Sequence, residues 1–582
     1  MEVQYSSSHA VAQNSGSGDV ADFANALIQE VDETERSRAL IQSNGNAPLD
    51  DEAKQTLASL RDVQQRVNKS ITDASASISR SLNSRTPLGR LPVELLSKIA
   101  LHYTEGARKG VVDIHEEWNE RETASLPLKK IIIISHIFSR WRQVCLDSAC
   151  LWSHIDLAWN LAAVYAFATR SKSSLLCIRF NSSAQDSLFA SDETTEVAAR
   201  ICPHIQFLTA EIFRIESLSI VIDSFGFPVT ELWYGIDTLR APELKRFILV
   251  QNTSDRRLLS SRNLFSDHFP KLRMLRLDGF SCKRLTSPLL ACLRSLYLSV
   301  GLTESTTDAI SAISNAPLLE DLTLENIRFN DIVRHLQSGG KPVKLEHCRN
   351  LALKKLNADS VIRLFAAFEF PVIRAINISS RPLVAPDGTM ISIYSSLPES
   401  VKALAAGASD LQIEMHSGMV SLAVPFTPGV FSPIQLVERV NHLHRKQRDE
   451  VRHLLLHCAF DFFVIRPEVL QVWGSDPTPE FDENDEPVRT GMDNENNIFT
   501  QQLWQALLSN SSSVVEMSLW GTEPLDPFIE ELERTDVCPA LKELRISIED
   551  EELYTERFQA MLDLRKERNA EIEEACLSEL EL

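Results

Sequence analysis

Residues 241–250 read Ala-Pro-Glu-Leu-Lys-Arg-Phe-Ile-Leu-Val, and the same phrase returns later in the chain. In each copy a Pro stands two residues before the first of three apolar residues, which follow the spacing apolar-x-x-apolar-x-apolar. A Pro suits the start of a strand because its φ is fixed and its missing N–H lies outside the ladder. The phrase therefore predicts a short, repeated β-strand. The other copies are Phe-Pro-Lys-Leu (269–272), Ala-Pro-Leu-Leu (316–319) and Cys-Pro-Ala-Leu (538–541).

The apolar template recurs at irregular intervals over most of the chain. From Leu244 to Ile373 its first positions advance by 28, 21, 26, 29 and 25 residues. Units of this length stack so that each adds a strand to a shared parallel sheet. The pattern resembles degenerate leucine-rich repeats and implies an α/β fold with an irregular solenoid over residues 165–548. The template begins at Leu175, Ile215, Leu244, Leu272, Leu293, Leu319, Cys348, Ile373, Met419, Val451, Val514 and Leu541.

Acidic residues are concentrated in two segments. The chain has 582 residues, 59 Lys+Arg and 80 Asp+Glu, giving a net charge of −21. Residues 475–497 hold 8 acidic residues and 1 basic residue, and we expect an acidic, disordered loop there. Residues 549–582 hold 12 acidic and 4 basic residues. In this second segment Tyr554, Phe558, Met561 and Leu562 follow a helical spacing, which predicts an acidic helix that caps the last repeat.

The N-terminal part of the chain precedes the repeats with a different composition. Residues 1–50 are rich in Ser, Gly, Asn, Gln and Ala, which predicts disorder. Residues 51–84 carry an apolar seam with alternating steps of three and four, typical of a coiled coil. The alternative is a long amphipathic helix on the chain's own core, which we prefer for so short a seam. The seam consists of Leu57, Leu60, Gln64, Val67, Ile71, Ala74 and Ile78.

Three short pieces follow in a fixed order. Leu-Pro-Val-Glu-Leu-Leu-Ser-Lys-Ile occupies 91–99, with Pro92 suited to the first helical position and Glu94 to the helix dipole. After a polar stretch at 104–128 come Ser-His-Ile-Phe-Ser-Arg-Trp-Arg-Gln-Val at 135–144 and Leu-Trp-Ser-His-Ile at 151–155. Together these pieces predict a small helical module with many apolar side chains.

This module resembles the F-box of fungal, basidiomycete-type proteins. The matching residues are Leu91, Pro92, Glu94, Leu95, Ile99, Trp141, Arg142, Leu151 and Trp152. The resemblance implies an F-box-like domain over 85–160, with an insertion at 104–128, that binds a Skp-type adaptor of a cullin-based ubiquitin ligase. Phe138 departs from the family's usual Cys. The residues expected to contact the adaptor are Leu91, Pro92, Leu95, Leu96, Ile99, Ile137, Trp141 and Trp152; both tryptophans could instead be core residues.

The resemblance implies a substrate receptor whose repeats bind an unknown target protein. Because of Phe138 and the insertion, a repeat scaffold that is not linked to a ubiquitin ligase stays an alternative. We expect no enzymatic activity, since the chain has no P-loop, GxGxxG or GxSxG motif. His453 and His457 are four residues apart, but a repeat strand is predicted at 451–456, so we expect no metal or other cofactor.

Composition also bears on partners and compartment. No basic cluster indicates nucleic-acid binding, so we expect no nucleic-acid partner. No apolar run approaches the roughly 20 residues of a membrane span, so we expect no association with a membrane. The 10 Cys include no CxxC pair, which favours a reducing compartment, either cytoplasmic or nuclear.

Overall fold

A computed structural model describes most of the chain, in several ranges. Of residues 1–50, which are predicted to be disordered, the structure describes only Arg36 and residues 49–50. Residues 110–125 of the predicted insertion and residues 476–497 of the acidic loop also lie outside the described residues. The described ranges are 36, 49–109, 126–181, 194–222, 240–251, 269–279, 287–299, 306–327, 342–475 and 499–579, with gaps at 386, 396, 406–407, 417–418, 425–433, 441–442, 444, 464, 523, 535 and 549–550.

The chain divides into two units. The first comprises Met1–Val93 with Phe138–Arg140, and the second comprises Glu94–Ile137 with Trp141–Leu582. The described part of the first unit is helix α1 (Leu49–Arg85) and a 3-10 turn (Leu88–Arg90).

A set of hydrogen bonds ends helix α1. The Thr86 hydroxyl accepts a hydrogen bond from Gly89 N (3.0 Å) and donates one to Asn83 O (2.7 Å). A side chain at Gly89 would collide with the Asn83 carbonyl, so only glycine fits this turn. Arg140 donates hydrogen bonds to the Gly89 carbonyl and to Leu91 O (2.9 Å). These contacts hold the chain as it leaves the turn.

Helix α1 carries the predicted heptad seam, in which Leu57, Leu60, Ile71 and Ile78 are exposed. The coiled-coil interpretation and the preferred alternative, an amphipathic helix on the chain's own core, both stay predictions.

The second unit combines helices with one large sheet. The helices of the chain after α1 are α2 (Val93–Lys109), α3 (Leu126–Ser135), α4 (Ser139–Asp147), α5 (Leu161–Arg170), α6 (Thr194–Glu211), α7 (Ser287–Leu290), α8 (Thr306–Ser314), α9 (Ala358–Ala367), α10 (Glu399–Lys402), α11 (Arg445–His457), α12 (Gln501–Ser509), α13 (Asp526–Leu532) and α14 (Glu551–Glu567).

The strands share a numbering in chain order. They are β1 (His154–Asp156), β2 (Leu176–Asn181), β3 (Ile215–Ile222), β4 (Arg246–Gln251), β5 (Met274–Asp278), β6 (Ser295–Ser299), β7 (Asp321–Glu325), β8 (Val343–Lys344), β9 (Asn350–Asn357), β10 (Phe368–Glu369), β11 (Ala375–Arg381), β12 (Leu383–Val384), β13 (Met390–Ile391), β14 (Asp410–His416), β15 (Met419–Val424), β16 (Ile434–Arg439), β17 (Val469–Ser475), β18 (Glu516–Trp520), β19 (Glu543–Ile548) and β20 (Glu574–Glu579).

Sixteen of the described strands form a single sheet. Their order is β1, β2, β3, β4, β5, β6, β7, β9, β11, β16, β15, β14, β17, β18, β19, β20. Neighbours pair in parallel except where β15 runs antiparallel to β14 and β16. The sheet begins before and ends after the predicted repeat range of 165–548. The expected α/β architecture with a mostly parallel sheet is thereby confirmed.

The Pro-containing phrase forms the same turn in all four of its copies, at 241–244, 269–272, 316–319 and 538–541. An N–H donates to the carbonyl three residues back at 3.2 Å, with Pro at the second turn position, where its fixed φ fits. The next residue then donates to the preceding repeat, as Arg273 N does to Lys245 O at 2.8 Å. The four turn bonds are Leu244 to Ala241, Leu272 to Phe269, Leu319 to Ala316 and Leu541 to Cys538.

In β5 buried apolar residues alternate with half-buried ones. Leu275 and Leu277 are fully buried, whereas Met274, Arg276 and Asp278 are half-buried. One face of the sheet therefore builds the core, and the second face is polar at β5 but carries a buried apolar cluster of Val221, Ile248 and Val250 on β3 and β4. Stacked strands of this kind, joined by helices and short turns, define a leucine-rich-repeat type of solenoid.

The repeats are interrupted by an antiparallel insertion, which accounts for the long step from Ile373 to Met419. Strands β14, β15 and β16 form a meander placed in reverse order, so that β16 pairs with β11 and β14 with β17. The sheet stays continuous because both outer strands of the meander run parallel to their neighbours.

A buried carboxylate anchors this insertion. Glu438 on β16 is fully buried and accepts hydrogen bonds from Ser392 Oγ (2.7 Å), Ile393 N (2.8 Å) and Ser380 Oγ (3.2 Å). Burial raises the pKa of Glu438 to about 7, against the opposing effect of these hydrogen bonds. The folded chain thus binds a proton at Glu438 more tightly than the unfolded chain does.

Glu438→Gln is expected to change how stability depends on pH. Because the pKa of Glu438 is higher in the folded chain than in the unfolded chain, wild type loses stability as the pH rises through the folded-state pKa. Between pH 6 and 8.5, the free energy of unfolding of wild type should fall by about 1 kcal/mol more than that of the variant. Urea unfolding of both proteins at the two pH values measures this difference. Because only Glu438 differs, other titrating groups cancel. Parallel pH profiles would contradict a protonated Glu438.

Two predicted repeat strands are corrected: the copy that begins at Met419 is the antiparallel strand β15, and the copy that begins at Val451 is not a strand. Residues 451–456 lie in helix α11, not in a strand. Val451 and Leu455 are fully buried one helical turn apart, whereas the exposed His453 lies on the other side of the helix. Arg452 pairs with Asp449 at 2.7 Å within the same helix. In this copy of the template the apolar residues Val451, Leu454 and Leu456 lie three and then two residues apart. This spacing is compatible with the inner side of a helix as well as with a strand.

A C-terminal helix forms at α14 (Glu551–Glu567), but it is not the cap predicted over 549–582, because a further strand follows it and extends the sheet. Tyr554, Phe558 and Met561 on α14 are buried. The chain then forms β20, which pairs in parallel with β19. The segment is thus a helix followed by a strand, like the units before it.

Candidate functional site

Helix α2 has apolar residues on two faces. Leu96, Ala100 and Thr104, spaced four apart, are fully buried. One position earlier, Leu95 and Ile99 are 44% and 42% exposed, and Tyr103 continues this second face. The buried face fixes the helix to the core. The second face is free to meet another molecule.

Helix α3 continues the exposed apolar surface. Ile131 and Ile134 are buried, while Ile132, Ile133 and the following Ile137 are exposed. The Lys130 ammonium lies 5.5 Å from the centre of the Tyr103 ring, so the exposed faces of α2 and α3 adjoin there. Clustered large apolar side chains on a surface indicate a docking site. We call Leu95, Ile99, Tyr103, Ile132, Ile133 and Ile137 the outer apolar patch.

Buried contacts hold this patch in place. Ser97 Oγ lies 3.0 Å from Ser148 Oγ, which joins α2 to the residue after α4. Trp152 Nε1 donates to Cys145 O at 2.7 Å. The Trp152 ring packs edge-on against Phe167 with centroids 4.8 Å apart. Burial raises the pKa of the Cys145 thiol to about 11, so it stays protonated and unreactive.

The structure separates the residues expected to contact an adaptor into two groups. Leu95, Ile99 and Ile137 belong to the outer apolar patch, Pro92 is exposed and Leu91 is half-buried. Leu96, Trp141 and Trp152 are core residues, with at most 4% exposure. Their assignment as contact residues is corrected, because they cannot touch a partner in this conformation. Sequence reasoning missed Tyr103, Ile132 and Ile133, although all are apolar and adjoin the motif.

The second face of the sheet carries a polar network near its middle. Tyr297 Oη donates to Glu325 Oε2 at 2.5 Å, and Lys355 Nζ lies 2.7 Å from Glu325 Oε1. Although burial raises the pKa of Glu325, hydrogen bonds from Lys355 and Tyr297 outweigh it, and the pKa lies below its ordinary value. The Arg276 guanidinium stacks 4.3 Å from the Tyr297 ring. Burial also raises the pKa of Tyr297. These groups brace neighbouring strands.

The histidine pair lies on a helix rather than in a strand. His453 and His457 are both exposed on α11, and His457 Nδ1 lies 2.6 Å from Asp461 Oδ2. Within the described ranges, no group of three His, Cys, Asp or Glu side chains is placed to hold a metal ion. His442 and His444 lie outside those ranges. Among the described helices, none is both long and apolar enough to cross a bilayer.

Comparison with known proteins adds little. No protein-family model matches the chain, and no curated protein matches its sequence. Among solved structures, the leucine-rich repeat-containing protein LegL7 from Legionella pneumophila is similar over 64% of this chain and 87% of its own, with 12% identity and a TM-score of 0.18. The assignment of the leucine-rich-repeat type of fold therefore depends on the parallel sheet and not on this similarity. Repeat solenoids of this type are typical protein-interaction scaffolds.

Proposed function

We propose that this protein is a non-catalytic substrate receptor of a cullin-based ubiquitin ligase. The observation that carries the proposal is the outer apolar patch, which lies on the helices that resemble an F-box. A Skp-type adaptor would cover Leu95, Ile99 and Ile137, while the repeats would bind a target protein. Covering such exposed aliphatic side chains removes apolar area from water and favours association.

The receptor would act by position rather than by chemistry. A target held on the repeats lies near the ubiquitin-conjugating enzyme of the same assembly, which raises its effective concentration. No side chain of the receptor needs to touch the reacting atoms. The repeat sheet supports a role in target binding because it presents a long face on which a partner protein can bind.

A repeat scaffold that is not linked to a ubiquitin ligase is the second candidate. Phe138 in place of the family's usual Cys and the insertion at 104–128 favour it. In that case the N-terminal helices would serve only to cover the first end of the sheet. Adaptor binding separates the two candidates.

Hydrogen exchange on the full chain, with and without a purified Skp-type adaptor, tests the proposal. We expect slower exchange in peptides that cover 95–103 and 132–137, because bound adaptor suppresses local opening of α2 and α3. Peptides from β17, β18 and β19 serve as the internal control and should not change. Unchanged exchange in α2 and α3, at adaptor concentrations that saturate a known F-box protein, would overturn the receptor role.

A further inference from the structure

Five neighbouring strands near the C-terminal end of the sheet align their side chains in three rows on the second face. Strands β14, β17, β18, β19 and β20 pair in this order, and every second residue of each strand lies on that face. From the registers, the rows are Asp410, Val469, Glu516, Glu543, Glu574; Gln412, Gln471, Ser518, Arg545, Cys576; and Glu414, Trp473, Trp520, Ser547, Ser578. We call these fifteen positions the C-terminal grid.

A stacked tryptophan pair is the main apolar feature of the grid. Trp473 and Trp520 are register partners whose rings lie 4.2 Å apart at an angle of 20°. Trp473 is 36% exposed, although its strand is interior to the sheet. Large aromatic side chains of this kind dominate the binding energy of protein interfaces.

The glycine that follows Trp473 sets the spacing of the two strands. A side chain at Gly474 would collide with the Gly521 carbonyl and would lie 2.6 Å from Phe499 Cε2. Gly521 has a φ of 56° and its N–H donates to Ser547 O at 2.9 Å. The parallel register of β17 and β18 places the two rings in contact, and the glycines allow the chain to pass closely behind them.

Carboxylates line the C-terminal grid: Glu414 lies beside the tryptophan pair, whereas the other four share the row that lies four residues away along the strands. The grid contains five carboxylates, those of Asp410, Glu414, Glu516, Glu543 and Glu574, against the single guanidinium of Arg545. Arg545 lies 3.1 Å from Glu543 and 3.9 Å from Glu516 and so offsets part of this charge. Glu414 is the register neighbour of Trp473. An aromatic ring with one carboxylate beside it suits a cation, which the ring quadrupole and that carboxylate both attract, and the row of four further carboxylates favours a segment with more than one cationic side chain.

We propose that the C-terminal grid is the docking surface for a cationic segment of the target protein, with an arginine or lysine side chain over the Trp473 ring. A guanidinium can stack on tryptophan and reach a carboxylate at the same time. An apolar partner would instead leave these carboxylates desolvated and unpaired, which is unfavourable. The proposal rests on the target-binding role proposed for the repeats and names the chemical class of the target segment.

A peptide titration tests the docking surface. The probe is a fluorescein-labelled ten-residue peptide of alternating Arg and Ser, and the comparison peptide has Gln in place of Arg. Fluorescence anisotropy with the full chain should show binding of the Arg peptide at 50 mM salt and at least tenfold weaker binding at 500 mM salt. Trp473→Leu should weaken binding at least tenfold, and Glu414→Gln with Glu543→Gln should do the same.

Matched variants exclude general effects. Phe213→Leu changes another exposed aromatic residue, and Glu552→Gln with Glu556→Gln changes two exposed carboxylates on α14. Both controls should bind the Arg peptide as wild type does. Equal binding of the Gln peptide, full binding by Trp473→Leu, or equal losses in the controls would overturn the proposal. The thermal midpoint of each variant shows whether it is folded.

The same preparations separate this proposal from the proposed function. If the Trp473→Leu variant binds the Skp-type adaptor and also binds the Arg peptide with wild-type affinity, the docking surface is contradicted and the receptor role is not. Wild type that binds the Arg peptide but no adaptor counts against the receptor role alone.

Discussion

Replacing Leu95 and Ile99 together by Asp is expected to weaken binding of the Skp-type adaptor at least 100-fold. Each aliphatic side chain that a partner fully covers contributes about 1.5–3 kcal/mol, so the two together account for roughly 3 kcal/mol or more. The new carboxylates would also lose water on docking, which adds to the cost. Calorimetric titration of the full chain with the adaptor measures the change.

The double variant should fold normally, because both side chains lie at the surface and the buried Leu96 and Ala100 are untouched. Leu318→Asp is the matched control, since Leu318 is also 44% exposed but lies in the turn before β7. We expect the control to bind the adaptor with wild-type affinity. Wild-type affinity in the double variant, or an equal loss in the control, would exclude the outer apolar patch as the adaptor site.

Arg565→Ala is expected to cause the largest loss of stability, roughly 3–5 kcal/mol. Arg565 on α14 is fully buried, and burial lowers its pKa. Its guanidinium donates to five backbone carbonyls, which lie at the end of α13, in the turns beyond it and just after α14. These are Leu532 O (2.9 Å), Ala570 O (3.1 Å), Cys538 O (3.1 Å), Val537 O (3.2 Å) and Arg534 O (3.5 Å).

The reason for so large an effect is that one buried cation serves several backbone carbonyls at once. Leu532 O, in the last turn of α13, has no intrahelical partner and accepts from Arg565, as do carbonyls of the following turn. Removing it leaves several buried acceptors unpaired and opens a cavity.

Two further variants separate the causes. Arg565→Met fills most of the volume but donates no hydrogen bonds, so it should recover only the packing part of the loss. Arg568→Ala removes an exposed arginine that donates to Glu533 O at 3.3 Å, and it should change stability by less than about 0.5 kcal/mol. Urea unfolding measures all three. A fully stable Arg565→Met variant would show that the carbonyl contacts contribute nothing.

The strands of the repeats could be predicted because their pattern is local. A Pro turn and alternating apolar residues act within ten residues, as in Leu272, Leu275 and Leu277, and the structure places such copies in parallel strands. The meander of β14, β15 and β16 could not be predicted, because its reversed order depends on pairings between distant segments. The helix α11 was missed since Val451, Leu454 and Leu456 fit two periodicities.

The N-terminal surface was predicted only in part, for a related reason. Leu95, Leu96 and Ile99 are all apolar, and the sequence does not say which of them faces the core. Ile131 and Trp141, which are buried with Leu96, lie more than 30 residues away in the chain. Likewise, the tryptophan pair of the C-terminal grid is formed by strands 47 residues apart, from Trp473 to Trp520, and needs their register to be known.

Gel filtration of the chain with a purified Skp-type adaptor tests whether the protein is a ubiquitin-ligase receptor. We expect the two to elute together as a one-to-one complex, and the Leu95→Asp, Ile99→Asp variant to elute apart from the adaptor. Separate elution of adaptor and folded wild-type chain would contradict the receptor role and leave the repeat scaffold as the better description.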